Sequence, residues 1–437
     1  MKHLMILAIF CLLPSVTRAE ETPPILSLEE AQKIALQHYP QILAAEATSK
    51  AAGEEVDVTR SNYLPQITGN AVRAFAGQGT RISAPGGLNN PSVIDRGSAG
   101  VGVSQLITDF GHTSDLIASS KLELQAQKER SNLTHETVLL DVTRAYFNVL
   151  RAESVLRVAQ ATLKTRKTLL DQIASLRDAK MKSDLDLSIA KQVVGEANLL
   201  LLKAKSGVDD AQATLAEAMG YSEPKHFVLA DNAKVTPPPA DVDTLTQQAL
   251  DHNPELATLK AEHDAARKRA DAETEAQYPT VSALGYAGST PISEDDQPIS
   301  SHSLAGGINV SIPFYTGGRL SAQEHEAAFK ADAIEQDMIT LKNQLLRDIR
   351  IVFGNTQTAY QNIEVTQALA KNAAEALDLT QERYKIGKSS IVDLSQAQLA
   401  ETSAKIEGAN AAYEYLIQRA LLDYKIGNTT HSQLAAE

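Results

Sequence analysis

The chain has 437 residues, 43% of them hydrophobic but only 5% aromatic, and its 39 Gly and Pro residues are too few for a collagenous or Pro/Gly-dominated disordered chain. A single cysteine excludes an internal disulfide framework and a thiolate zinc site, both of which need several sulfurs. The formal charge is −13 and no Lys/Arg-rich segment is interleaved with aromatics, which excludes nucleic acid as a partner.

Residues 1–19 open with Lys2 and His3, run through the apolar LMILAIFCLL (4–13) and end at Thr17-Arg18-Ala19 before Glu20-Glu21. A basic start, a ten-residue apolar stretch and a small-residue end describe a secretory signal peptide, too short to span a bilayer. The other reading is a buried N-terminal helix. Lipidation at Cys11 would need a small residue where Phe10 stands. The mature chain is therefore expected to begin at Glu20, without cysteine. Loss of Lys2 and Arg18 leaves 39 basic against 54 acidic residues, a formal charge of −15. Beyond the leader no apolar run reaches the roughly 18 residues of a spanning helix, so the exported chain either stays soluble or crosses a membrane as a barrel.

The remainder is written twice. SLEEAQKIALQHYPQILAAEA (27–47) is echoed by TLTQQALDHNPELATLKAE (244–262), with Pro40 matching Pro254 and Pro65 matching Pro279 at an offset of 214. After a shorter loop the offset becomes 207, where Gly111 matches Gly318, Asp186 matches Asp393, Ala190 matches Ala397 and Gly220 matches Gly427. The expected units are a first repeat over 20–220, a connector over 221–243 containing the extended VTPPPADVD (235–243), a second repeat over 244–427 and a tail over 428–437.

In the first repeat a helix is expected from Leu28 to Asn62, ended by Tyr63-Leu64-Pro65. Strands follow at about 66–76, with Ile67, Ala71 and Phe75 on one side, and at about 97–107, with Val101, Val103 and Ile107 on one face and Gly102, Ser104 and Leu106 on the other. The second repeat has strands at about 280–288 and 303–313, where Ile308, Val310 and Ile312 oppose Asn309 and Ser311. Polar turn-forming loops join each pair, and Asp295-Asp296 in the second reads as solvated charge. Ten residues tilted near 45° cover roughly 23 Å, close to the apolar band of an outer-membrane barrel. Two ordinary periplasmic hairpins would show the same alternation.

The helices that follow are more specific. Val142, Ala145, Val149, Ala152, Leu156, Ala159 and Leu163 step by three and four, and after a turn at about 177–183 so do Leu187, Ala190, Val194, Ala197, Leu201, Ala204, Val208, Ala211, Leu215 and Ala218. In the second repeat Leu399, Thr402, Ile406, Ala409, Tyr413, Leu416 and Ala420 form a similar seam. A seven-residue period imposes left-handed supercoiling, and alanine at alternate seam positions lets backbones approach. A soluble helical bundle would show the same seams. The helical pattern from Thr113 to Ser175 would span about 95 Å, and the helices over 28–62 and 183–219 about 50 Å each, so two short helices end to end match one long one.

This duplicated organisation resembles the TolC family of outer-membrane channel proteins over essentially the whole mature chain. The resemblance is carried by LSLEEAQKIALQHYPQI and its second copy, by TDFG (108–111) and YTGGR (315–319), and by ERYKIGKSSIVDLSQAQ (382–398). It implies a mainly α fold with membrane β, in which each subunit of a homotrimer gives four strands, as two hairpins, to one twelve-stranded barrel above an α-helical periplasmic tunnel. Independently, four strands in lipid leave two open edges whose unpaired backbone groups are costly, so several copies must combine.

The function implied is a passive exit duct of a tripartite efflux or type I secretion system in the outer membrane of a Gram-negative bacterium. Its partners would be a periplasmic adaptor, an inner-membrane pump of RND or ABC type and outer-membrane lipid. The resemblance also implies a gate at the periplasmic tips, with Asp393 in an acidic ring and Tyr384 latched to Asp186. A second family acid is Gln396 here, and a family arginine is Ser389, which removes one latch contact. The residues themselves also allow Asp393 to be a first-turn acid capping its helix after Ser389-Ser390. The adaptor would meet the turns at Lys180, Lys182, Gly387 and Ser389. No catalytic, cofactor or metal site is expected: the ten histidines are scattered, no H-E-x-x-H occurs, and the glycines of 97–102 lie in a strand without a nucleotide-binding helix after it. The rival to the duct is a non-conducting periplasmic coiled-coil scaffold.

Overall fold

The computed structural model describes residues 25–74, 81–83, 89–92, 96–232, 234–289, 292–294, 297–299 and 302–428. The leader with Cys11, Phe75, Asp295, Asp296 and the tail after Asn428 lie outside these residues.

The first half contains β1 (Ile25–Leu26), α1 (Leu28–His38), α2 (Pro40–Arg60), β2 (Gln66–Ala74), β3 (Arg81–Ser83), β4 (Asn89–Ser92), β5 (Arg96–Thr108), α3 (His112–Asp178) and α4 (Asp184–Ala218). The second contains β6 (Val228–Leu229), α5 (Val242–His252), α6 (Pro254–Glu275), β7 (Thr280–Ser289), β8 (Ile292–Glu294), β9 (Gln297–Ile299), β10 (His302–Ser311), α7 (Arg319–Lys385) and α8 (Ile391–Lys425).

The single helix expected over 28–62 is two helices. Pro40 has no N–H to donate and its ring disfavours helical backbone in the residue before it, so Tyr39 is extended (φ −70°, ψ 122°) and Pro40 opens α2 instead. Asn253 (φ −68°, ψ 120°) and Pro254 repeat the break between α5 and α6. Ser27 and Glu30 close a capping box at the start of α1, and the Asp241 carboxylate caps α5. The expected polar loops between strands carry the short pairs β3–β4 and β8–β9, and β1 pairs in parallel with β6.

The two hairpins join into one antiparallel sheet in the order β10-β7-β5-β2. Its register aligns Ile67 with Val103, Gly285 and Gly306, and Gly69 with Val101, Ala287 and Leu304. Directly opposed residues share a face, so Ile67, Val101, Val103, Leu304, Ile308 and Val310 line one side. They are between 37% and 89% exposed, a continuous apolar surface without cover in the single chain. Thr68, Asn70, Ser104, Ser282, Ser303 and Asn309 lie on the opposite side, where the Tyr286 ring rests against Gly100 and Gly288. β10 ends at Ser311, short of the expected 313: Ile312 follows the strand, and Pro313 has no N–H for the ladder.

α3 and α7 are 67 residues each, about 100 Å, while α4 and α8 are 35 each, about 53 Å. α2 and α6 pack beside the strand-proximal stretch of the long helices, α4 and α8 beside the other end, and α3 touches α6 and α8. Every seam position of α3 and α4 named from the heptads is buried or half-buried. In α8 the seam departs from expectation. Leu399 is 67% exposed, and Gln398, only 2% exposed, takes its place. Two neighbours explain this, because α8 packs on both α3 and α7 and a single heptad stripe cannot describe a helix buried on two sides.

The largest core lies where the short helices meet. Val142, Tyr146, Val149, Leu215 and Met219 pack with Ala31, Ala35 and Ile42. The Tyr146 hydroxyl lies 3.0 Å from the Leu26 carbonyl and 2.7 Å from that of Ala230, which fastens the β1–β6 pair to α3. Leu245, Ala249, Ile349, Val352 and Leu422 form the corresponding core of the second half. Gly220 (φ 83°) and Gly427 (φ 70°) end α4 and α8 in the left-handed conformation, pressed against the carbonyls of His38 and His252 at the proline breaks. Among the described residues no helix is long and apolar enough to cross a membrane.

Candidate functional site

The two helical tips are built alike. α3 ends in a Schellman turn, with Met181 N donating to Leu176 O (2.8 Å) and Lys180 N to Arg177 O (2.8 Å). α7 ends in the same turn, with Lys388 N donating to Arg383 O (2.8 Å) and Gly387 N to Tyr384 O (3.2 Å). After each turn a serine restarts the chain. Ser183 caps α4 and Ser390 caps α8, each through a capping box in which the third helical residue is aspartate.

The two aspartates are used differently. Asp393 takes three bonds on Oδ2, from Ser390 N (2.9 Å), Ser390 Oγ (2.8 Å) and Ser389 Oγ (3.1 Å). The Ser390 backbone and hydroxyl, then Ser389, hold its exposed carboxyl below the usual range. Ser389 thus completes the α8 cap.

Asp186 accepts from Ser183 N (2.9 Å) and Ser183 Oγ (2.6 Å) on Oδ2, while Oδ1 faces the Tyr384 hydroxyl at 3.2 Å. Burial works to raise this carboxyl, but the Ser183 and Tyr384 hydrogen bonds and the charge of Lys182 outweigh it and hold it low. Tyr384 is 5% exposed among Ile173, Leu187, Leu377, Ile391 and Leu394, so its hydroxyl bridges two helical hairpins from within an apolar cluster. Burial first, and then the Asp186 charge, push its pKa well above the ordinary tyrosine value.

Lys182 also turns inward. Its ammonium lies 3.6 Å from the centre of the Tyr384 ring and 3.4 Å from the Tyr384 carbonyl. Nothing in the spacing of the sequence signals that contact. Position 177, where the first repeat would carry the equivalent of Tyr384, is Arg177, which faces Asp178 (3.4 Å) and Asp184 (3.8 Å) on its own hairpin. The bridge is therefore made once per chain. Beside it, between α3 and α7, runs a groove of about 760 Å³ whose lining includes Lys164, Lys182 and Lys385, with Leu394 in its wall and no carboxylate. Lys180 and Gly387 sit in the left-handed conformation at the two turns (φ 61° and 73°).

The profile of the family described as outer membrane efflux protein matches residues 32–221 and 245–428. The chain is 24% identical over 409 residues to outer membrane protein TolC of Salmonella enteritidis, covering 91% of this chain and 81% of that protein. It is 22% identical over 422 residues to alkaline protease secretion protein AprF of Pseudomonas aeruginosa, covering 92% of this chain and 84% of that one. Among solved structures, the outer-membrane channel OprN superposes with a TM-score of 0.80 at 18% identity, covering 92% of this chain and 90% of that chain.

Proposed function

The chain belongs to the outer membrane efflux protein family and is an exit duct of the outer membrane that reaches into the periplasm, and we propose that three copies build the duct and that contacts at its helical tips close it. The observation that carries the reading is the sheet: four strands with one uncovered apolar face and two unpaired edges, β2 and β10, at opposite ends of the order. Such a sheet is stable in lipid only when its edges pair with other copies. The β10 edge of one copy meets the β2 edge of the next in a head-to-tail contact, which closes into a ring. Three copies give twelve strands, the number that the family resemblance implies.

At the other end, Tyr384 and Asp186 tie the α3/α4 hairpin to the α7/α8 hairpin, and Asp393 presents an exposed carboxylate. In this reading the ties keep the tips together until a partner loosens them. The lysine-lined groove next to Tyr384 is where the adaptor would dock, near the turns at Lys180, Lys182, Gly387 and Ser389. The inner-membrane pump, of RND or ABC type, would supply the cargo and the energy.

The test is extraction and conductance. The mature protein is expected to leave the outer membrane only with detergent, to run as a heat-modifiable trimer, and to conduct ions in planar bilayers. Recovery as a water-soluble monomer that conducts nothing would establish the periplasmic scaffold instead.

A further inference from the structure

Arg166 lies on α3 twelve residues before its end at Asp178, about 18 Å above the tip, and is 4% exposed. Its Nη2 donates to the main-chain carbonyl of Gln398 (2.7 Å) and to Thr402 Oγ1 (3.1 Å), both on α8. Burial lowers its pKa, against the charges of Glu401 on α8 and Glu196 on α4. Gln398 is 2% exposed, in the seam position that the heptads assign to Leu399, and its Nε2 has no hydrogen-bond partner. Arg166, Gln398 and Thr402 border a pocket of about 290 Å³ with the exposed Glu196 at its rim, so a buried polar layer joins α3 to α8 beside the apolar seam residue Ala197 of α4.

Such layers gain nothing in stability over well-packed apolar residues; their best-attested effect is to fix register. Arg166 is suited to that, because its planar guanidinium grips a backbone carbonyl and holds the α8 main chain at one height. Between this layer and the Tyr384–Asp186 contact the hairpins meet through Ile173, Leu187, Ala190, Leu377 and Leu394, which have no directional bonds to break when helices slide.

The geometry points to Arg166 as a positioning residue of the duct's gate: it pins α8 to α3 in one register, so that release of the tip contact moves only the helical segment below it. This inference rests on the proposed tip gate. It is tested by single-channel conductance of Tyr384→Phe, Arg166→Met and the double variant, with the melting temperature of each trimer measured alongside. Tyr384→Phe is expected to raise conductance. The double variant is expected to exceed the product of the two single effects, because loss of the pin lengthens the segment free to move. If Arg166→Met does not assemble, Arg166→Lys, which keeps the charge and loses the planar fork, enters the same comparison. A raised conductance in Tyr384→Phe that Arg166 variants merely multiply, with only their melting temperature lowered, would make Arg166 a core contact and remove the pin alone. An unaltered conductance in Tyr384→Phe would remove the tip gate and the pin with it.

Discussion

Lys180 holds a left-handed backbone (φ 61°) at the position that Gly387 (φ 73°) holds in the second half of the chain. Both close a Schellman turn at the end of a 67-residue helix, but only glycine adopts that conformation without a Cβ penalty. The two tips are therefore equal in geometry and unequal in strain.

Replacing Lys180 with glycine is expected to stabilise the first tip by about 1 kcal/mol, the order of the left-handed penalty for a residue with a Cβ. Thermal unfolding of the detergent-solubilised trimer reads it as a higher midpoint. A lower midpoint would mean that the lysine side chain contributes more than its backbone costs.

At the tip contact, Asp186→Asn removes the charge that the Ser183 and Tyr384 hydrogen bonds favour, and is expected to raise single-channel conductance at neutral pH. Acidification should do the same to the unaltered protein. The carboxyl of Asp186 is held below its ordinary value, so its contribution is present above the ordinary carboxylate pKa and is lost as pH falls through the lowered one. The conductance rise thus belongs to the range below about pH 4. A rise confined to pH 6 and above would place the titrating group elsewhere.

Glu136 on α3 gives a pH dependence of opposite sign. It is 7% exposed, its Oε2 has no partner, and burial, followed by the charge of Glu129, pushes its pKa to about 7. The folded chain favours the protonated form, so this group lowers stability as pH rises from the unfolded value towards 7. Glu136→Gln is expected to raise the melting temperature at about pH 8 and to leave it nearly unchanged at about pH 3, where the carboxyl is protonated in both states. Equal shifts at both values would assign the effect to packing.

Gly427 is the less replaceable of the two junction glycines. A Cβ there would lie 2.6 Å from the His252 carbonyl oxygen, against 3.1 Å from that of His38 at Gly220. Gly427→Ala should therefore lower the melting temperature more than Gly220→Ala, each by at least the roughly 1–2 kcal/mol of a left-handed alanine. The reverse order would show that the second junction yields more easily than the first.

Much of this was legible because the physics is local. Pro65 and Pro279 each precede a strand, and the three-and-four stepping from Leu187 to Ala218 is buried or half-buried throughout. Proline at 40 was visible too, yet its consequence, a break that starts a second helix, was hidden by the helix formers on both sides. Leu399 departs from expectation because periodicity assigns one stripe per helix, whereas α8 packs on both α3 and α7 and Gln398 lies between them. The inward turn of Lys182 onto Tyr384 was unreadable for the same reason. Contacts across the duplicated halves are set by how two hairpins meet, which neither half encodes alone.

The equal lengths of the paired elements carry a constraint on change. α3 and α7 have 67 residues each, α4 and α8 have 35 each, and α2 and α6 have 21 and 22. A heptad deleted from one long stave alone would leave its turn about 10 Å out of level with the other, and would part Asp186 from Tyr384. Shortening or extending the conduit thus requires matched insertions or deletions in both halves, in whole heptads, made together.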